Sequence, residues 1–431
     1  MEIHVQPSAL DGSMRPPGSK SHTIRGVLLS LLASGQSRLI DPLECGDAIS
    51  ALNAARAFGA TVSIEDGVWT IAGPDKPLLA PTTIIDTDNS GTTTTLYCSV
   101  AALAQGHTII TGDEQIRSRP IAPLIRALNE LGATAFFTHP SRKTPPVIIQ
   151  GTLKGGRVTI EGRNSQFVSS LLLSAPLAEG RTEISVTNAL ETPYVQMTID
   201  WMERYGVSVQ RNADYTHFVV EGGQQYTAST SRVPGDWSSA AFPLVGAAIT
   251  GSGLLLQGLD MTDSQGDKRI IEYLRKFGCS ITFQEEGVYI AEGSQLKSDL
   301  TIDLGNTPDM LPALAVLATQ AEGTTQFVNI EHIRQKETDR IEEMHQKLTS
   351  LGCDLIVGDD ELVVRGKTPI RGGRVHSAGD HRIAMALVVA GLAAQDTLIV
   401  EGGECIAVSY AGFCEQLQAC GARIKIKSTP S

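Results

Sequence analysis

Six short polar turns hold most of the residues in this 431-residue chain that are equipped for chemistry. They read PGSKSHTIR (17–25), DTDNSGTTTT (86–95), EGRNSQFVSS (161–170), PGDWSSAAF (234–242), LGNTPDMLP (304–312) and AGDHRIAMA (378–386). Each leads into a run of small and apolar residues such as GVLLSLLASG or MALVVAGLAA, so each reads as a helix start. The first N–H groups of a helix have no partner and its dipole is positive there, so the position attracts anions. Ser, Asn and Asp at helix starts are ordinary N-caps. Lys20, Arg25 and Arg382 are not, because a cation near the positive end of a helix is destabilising unless an anion sits beside it. Phosphate and carboxylate binding is therefore expected of Lys20, Ser21, Arg25, Asn89, Gly91, Asn164, Ser165, Gln166, Asp309, His381 and Arg382. Two basic clusters lie outside the turns. GDEQIRSRPIAPL (112–124) carries Arg117 and Arg119, and IRQKETDRIEEM (333–344) carries Arg334, Lys336, Glu337, Asp339 and Arg340. By composition alone the second reads as a solvated helix start with alternating charges.

The elements that must position these residues repeat along the chain. ALNAARAFGA, LIRALNELGA, TIDWMERYGV, IIEYLRKFGC, MHQKLTSLGC and FCEQLQACGA each pair helical apolar spacing with a glycine stop. The glycines are Gly59, Gly132, Gly206, Gly278, Gly352 and Gly421, spaced 69 to 74 residues apart. Stretches of alternating polarity follow, such as ATVSIEDGVWTIAG, and predict hairpins. The unit is thus strand, buried helix, strand, amphipathic helix, hairpin, and six copies suggest two domains of three. The apolar-all-round helices must be buried. No unit resembles a polar cap, so a closed arrangement is preferred to an open array. The polar stretch Gln224–Arg232 is the best candidate for the crossing between halves.

A net charge of −12 argues against non-specific nucleic-acid binding, which needs a broad basic surface, and requires any anion site to be local. Met1–Leu10 shows no secretory pattern, and the apolar runs are too short to span a bilayer. The expectation is a cytoplasmic monomer with no membrane partner. Seven cysteines with no Cys-x-x-Cys pair read as reduced thiols; Cys279 and Cys353 follow a Gly in matching contexts and read as packing residues. No metal-ligand spacing is present.

PGSKS at 17–21 with Arg25, NSGT at 89–92, RPI at 119–121, NSQF at 164–167, KETDR at 336–340 and DHRIAM at 380–385 resemble, in order, the motifs of 5-enolpyruvylshikimate-3-phosphate synthases. The resemblance runs from Pro17 to about Leu417. It implies an α/β fold, the two-domain enolpyruvyl transferase fold of six βαβαββ units, three per domain, an inside-out α/β barrel whose cleft closes on substrate. Residues 19–230 would form the N-terminal domain, and 1–18 plus 231–431 the C-terminal one. It implies transfer of the enolpyruvyl group of phosphoenolpyruvate to the 5-hydroxyl of shikimate 3-phosphate, with no cofactor. Shikimate 3-phosphate would be held by Ser21, Arg25, Asn164, Ser165, Tyr194, Asp309 and Lys336. Phosphoenolpyruvate, and the inhibitor glyphosate, would be held by Lys20, Gly91, Arg119, Gln166, Arg340 and Arg382. Asp309, Glu337 and Lys20 would be the catalytic residues. The chain departs from the family pattern at Thr95 (arginine in the family), Val408 (lysine), His332 (asparagine) and Glu191 (serine). These departures keep two other readings open. One is a repurposed homologue acting on another polyol or eliminating phosphate from a shikimate-like phosphate. The other is a silent ligand-binding homologue, against which the retained Lys20, Asp309, Glu337, Arg340 and Arg382 argue.

Overall fold

The computed structural model describes residues 1–74, 77–293 and 295–428. The chain divides into two compact units: Gly18–Val233, and Met1–Pro17 together with Pro234–Ser431. Among the described residues, buried and amphipathic helices alternate. In the first unit they are α1 Lys20–Leu32, α2 Gly46–Ala57, α3 Gly91–Ala101, α4 Ala122–Glu130, α5 Ser165–Ser174 and α6 Thr192–Arg204. In the second they are α7 Trp237–Thr250, α8 Ile270–Lys276, α9 Leu311–Gln320, α10 Arg340–Ser350, α11 His381–Leu392 and α12 Phe413–Ala419.

The odd-numbered helices are the apolar ones that follow the polar turns. Every residue of α3, α9 and α11 is buried, as a helix without a polar face requires. The even-numbered helices bury one stripe. In α10 that stripe is Arg340, Ile341, Met344 and Leu348, at helical spacing. Each even helix ends at a glycine with φ between 83° and 103°. At Gly352 the N–H bonds back to Thr349 O, and the next N–H, of Cys353, bonds back to Leu348 O. The same pair of bonds closes the other five helices. This is the left-handed stop in which two orphan carbonyls are satisfied, and it makes Cys279 and Cys353 buried residues of a helix end.

Among the described residues six four-stranded sheets accompany the helices. In each, two parallel strands lie beside an antiparallel hairpin; one example is Ile85–Asp86, His107–Thr111, Val147–Gln150 and Thr134–Phe137. Among the described residues three sheets borrow a strand from elsewhere in the chain, one of them taking Ser13–Met14 parallel to Leu254–Gln257. Thr230–Arg232 runs parallel to Gln36–Ile40, so Gln224–Arg232 ends inside the first unit and the chain leaves it only after Val233. Glu2–Gln6 pairs with Arg423–Lys427, so the chain's two ends make the sixth hairpin. Each unit has its own core, one including Leu28, Leu96 and Leu172, the other Val245, Leu314 and Val388, all with no exposed surface. Each such side chain contributes roughly 1.5–3 kcal/mol. Among the described residues no helix is long and apolar enough to cross a membrane.

Candidate active site

In the Gly18–Val233 unit the starts of α1, α3 and α5 gather the predicted residues. Lys20 opens α1, whose first turn has no acidic residue of its own. Its charge is answered from the first turn of α2, where Asp47 Oδ2 lies 3.0 Å from Lys20 Nζ, both side chains being buried. Arg25 lies one turn further on and is 1% exposed. It donates to Thr198 Oγ1 at 2.8 Å, Ser21 O at 3.0 Å, Tyr194 O at 3.2 Å and Ser169 Oγ at 3.4 Å. All four acceptors are neutral. Burial therefore brings the guanidinium pKa down to about 10, still charged at neutral pH. A buried cation held only by neutral oxygens favours an anionic ligand.

Gly91 begins α3, and a Cβ there would meet Arg119 Nη1, so a larger residue would make this guanidinium move away from the helix start. Asn164 caps α5 by accepting from Gln166 N at 3.0 Å, and Gln166 Nε2 reaches across to Thr92 Oγ1 at 3.1 Å. Asn89 is occupied by Asp113 and Gln115, at 2.5 and 2.8 Å. Thr95 is buried, with its hydroxyl turned onto Gly91 O at 2.9 Å. Glu191 is also buried, and its carboxylate sits on Ser165, accepting from Oγ at 2.7 Å and from N at 3.2 Å.

The second unit builds a charge cluster around Arg340, which is 1% exposed at the start of α10. Nε donates to Asp380 Oδ2 at 2.7 Å, Nη1 to Asp309 Oδ1 at 2.8 Å and Nη2 to Glu337 Oε2 at 2.5 Å. Burial alone would lower the arginine pKa, but the Asp380, Glu337 and Asp309 carboxylates outweigh it and hold the proton more tightly than usual. Asp380 also caps α11, accepting from Arg382 N at 2.8 Å. Asp309 stands in the 3-10 turn Pro308–Met310 and takes a second arginine, Arg382 Nη2, at 3.0 Å. Burial would raise its pKa, yet Arg382, Arg340 and Lys336 together hold it well below the usual carboxylate range, against the opposing charge of Glu337. Lys336 closes the 3-10 turn Glu331–Gln335, in which His332 is buried.

One carboxyl behaves the other way. Asp267, buried in the turn before α8, accepts from Ser238 Oγ. Burial first, then the nearby charge of Asp309, push it up to about 7, although Arg382 and the Ser238 hydroxyl oppose this. A raised folded-state pKa contributes stability that is complete below the unfolded value of 3.8 and is lost as pH rises through about 7. Asp309 does not mask that window, because its own contribution is lost only at lower pH. Asp267→Asn keeps the acceptor for Ser238 and removes the titration. Its melting temperature relative to the parent will therefore rise between pH 5 and pH 8; a constant difference across that range would show that Asp267 stays ionised.

The sequence-predicted residues thus fall into two groups. Lys20, Ser21, Arg25, Gly91, Arg119, Asn164, Ser165, Gln166 and Tyr194 belong to the first unit, and Asp309, Lys336, Glu337, Arg340 and Arg382 to the second. His381 is buried beside Arg382 at the start of α11. Arg117 and Arg334 are engaged locally, Arg117 on Gly112 O at 2.5 Å and Arg334 on Asp339 at 2.8 Å and Gly358 O at 2.8 Å. Sequence reasoning missed Asp47, Ser169, Thr198, Asp267 and the ion-pairing role of Asp380. A lone Asp in a helix first turn is the ordinary response to the dipole, so Asp47 carried no signal.

A sequence model of the EPSP synthase family, 3-phosphoshikimate 1-carboxyvinyltransferase, matches residues 5–417. The chain is 40% identical over 426 residues to the 3-phosphoshikimate 1-carboxyvinyltransferase of Ruminiclostridium cellulolyticum, covering 99% of this chain and 100% of the relative. It is 40% identical over 429 residues to that of Methanocella arvoryzae, with 99% and 100% covered. The solved EPSP synthase of Acinetobacter baumannii superposes with a TM-score of 0.83 at 29% identity, over 99% of this chain and 100% of that one. By sequence over nearly its whole length, and by likeness to a solved member over nearly the whole chain, the chain belongs to the EPSP synthase family.

Proposed function

We infer that this protein transfers the enolpyruvyl (carboxyvinyl) group of phosphoenolpyruvate to the 5-hydroxyl of shikimate 3-phosphate and releases inorganic phosphate, a step of the shikimate route to aromatic amino acids. The observation that carries the reading is the Arg340–Asp309–Arg382 arrangement, with Glu337 on the same Arg340. It sets two arginine forks and two carboxyls of different surroundings side by side, as an acid–base reaction of a small polyanion needs.

In this reading Lys20, Arg119, Gln166, Arg340 and Arg382 hold phosphoenolpyruvate, and Gly91 leaves the space in which Arg119 meets it. Ser21, Arg25, Asn164, Ser165, Tyr194 and Lys336 hold shikimate 3-phosphate, with Asp309 on its 5-hydroxyl. Asp309 takes the hydroxyl proton as the oxygen attacks C2 of phosphoenolpyruvate, and Glu337 delivers a proton to C3. The tetrahedral adduct then loses phosphate from C2 and a proton from the new methyl group, restoring the double bond. The charges support the assignment, since Arg25, Arg340 and Arg382 are buried cations of the kind that phosphate and carboxylate groups satisfy. The protein acts on these small molecules as a cytoplasmic monomer; its seven cysteines are unbridged, in keeping with a reducing compartment.

Phosphate release measured with each substrate alone and with both together tests the reading. Release will require both. Release from shikimate 3-phosphate alone would replace transfer with elimination, and no release under any condition would leave a ligand-binding homologue.

A further inference from the structure

The N-terminus of α5 already holds an anion that belongs to the protein. Its first helical residue, Ser165, gives both its N–H and its hydroxyl to Glu191 Oε2, at 3.2 and 2.7 Å. Glu191 is 2% exposed and occupies the position before α6 with φ 52° and ψ 31°, a left-handed conformation that glutamate rarely adopts. Two independent features therefore coincide: a buried carboxylate, and a strained backbone that aims it at a neighbouring helix start. Such a conformation persists only where its surroundings over-determine it, and the positive end of α5 together with two direct donors does so.

Ser165 is also one of the residues assigned above to shikimate 3-phosphate. Its N–H and hydroxyl are the donors a phosphate would use at this helix start, and one carboxylate oxygen now takes both. Two anions cannot share them, since like charges at that distance repel strongly in a buried site.

We propose that Glu191 is a specificity-determining residue, a resident carboxylate that competes with the substrate's phosphate for Ser165 at the start of α5. Binding then requires Glu191 to give up Ser165, and the apparent affinity is reduced by the fraction of molecules in which it has done so. The penalty falls on ligands that bring a phosphate to this point and spares those that do not. The proposal rests on the functional reading above for the identity of the phosphate ligand, and the test separates the two.

Binding of shikimate 3-phosphate and of shikimate, which lacks the phosphate, is measured by calorimetry on the full chain without phosphoenolpyruvate. The parent is compared with Glu191→Gln, which keeps the side-chain shape and an acceptor but not the charge, and with Glu191→Ser, which empties the position. Both variants will bind shikimate 3-phosphate at least about tenfold more tightly than the parent, the size of a modest differential affinity between two states. Shikimate will change by much less. In steady state the KM for shikimate 3-phosphate will fall while that for phosphoenolpyruvate holds. Equal changes for both ligands, or weaker binding of shikimate 3-phosphate in both variants, would make Glu191 a structural cap and overturn the proposal. Should Glu191→Ser fail to fold, Glu191→Gln alone decides. Should the parent and both variants bind neither ligand, the functional reading fails and the proposal falls with it. A parent that binds both ligands, with variants that show no gain for shikimate 3-phosphate, overturns the proposal alone.

Discussion

Replacing Arg340 with methionine will destabilise the unit that contains it by roughly 3–5 kcal/mol, the usual cost of removing one partner from a buried ion pair. Arg340 is 1% exposed and serves three carboxylates. Asp309 would retain Arg382, and Asp380 would retain the N–H groups of α11, but the charges of buried Asp380 and half-buried Glu337 would be left with less compensation. The cost therefore belongs to the carboxylates left behind more than to the arginine removed. That distinction is measurable. Asp380→Asn still caps α11 through its amide oxygen and removes one of the stranded charges. The double variant Arg340→Met, Asp380→Asn will be more stable than the sum of the single changes by at least about 1 kcal/mol, within the usual range for residues in one charged network. Urea unfolding of the four proteins gives the coupling directly. Additive losses, or a loss below about 1 kcal/mol for Arg340→Met, would mean that water reaches the cluster and screens it. Arg340→Lys will not substitute, because one ammonium cannot reproduce three planar contacts at these distances.

The parts of this molecule legible in its sequence are those governed by local rules. The glycine after each amphipathic helix is required wherever the chain must turn left-handed to satisfy two carbonyls, so Gly59, Gly132, Gly206, Gly278, Gly352 and Gly421 read the same way in a string of letters as in space. The unbroken apolar runs of α9 and α11 could only be interior. Cations at helix starts were informative because they contradict a local rule, and Lys20 and Arg382 each proved to face a carboxylate from another element. Which carboxylate was not legible. Asp47 reaches Lys20 from the next helix, and Glu191 reaches Ser165 from the residue before another helix. Both pairings arise from packing between elements, which periodicity does not encode. Asp267 was hidden for the same reason: its environment is made by Ser238, Asp309 and Arg382, remote in sequence and gathered only by the fold. The exchange of strands between distant segments lay beyond local reading as well. Nothing in Thr230–Arg232 announces that it pairs with Gln36–Ile40.

Asp309→Asn will lower turnover by at least about 100-fold, the usual share of a positioned general base, with both substrates still bound. The geometry raises a difficulty that the prediction must meet. A carboxylate held by Arg340 at 2.8 Å and Arg382 at 3.0 Å keeps its proton affinity far below the ordinary range and is a weak base as it stands. In the proposed assignment those same two arginines also bind phosphoenolpyruvate. Its negative charge offsets part of theirs at Asp309, so the proton affinity of Asp309 rises when the substrate arrives. The base then strengthens only in the complex in which its proton acceptance is useful, and an idle enzyme does not hold a reactive carboxylate. The sign of the pH dependence follows. In the free protein the depressed pKa puts loss of the carboxylate form at low pH, and in the substrate complex that loss moves upward. The acid limb of kcat will therefore lie at higher pH than the acid limb of kcat/KM measured with phosphoenolpyruvate as the varied substrate. In Asp309→Asn the affinity for phosphoenolpyruvate will hold or increase, since a competing anion has been removed from its arginines. Steady-state kinetics of the parent and variant between pH 4 and pH 9 supply both comparisons. Turnover within about threefold of the parent would remove Asp309 from the mechanism, and coincident acid limbs would show that the two arginines do not pass their charge from Asp309 to the substrate.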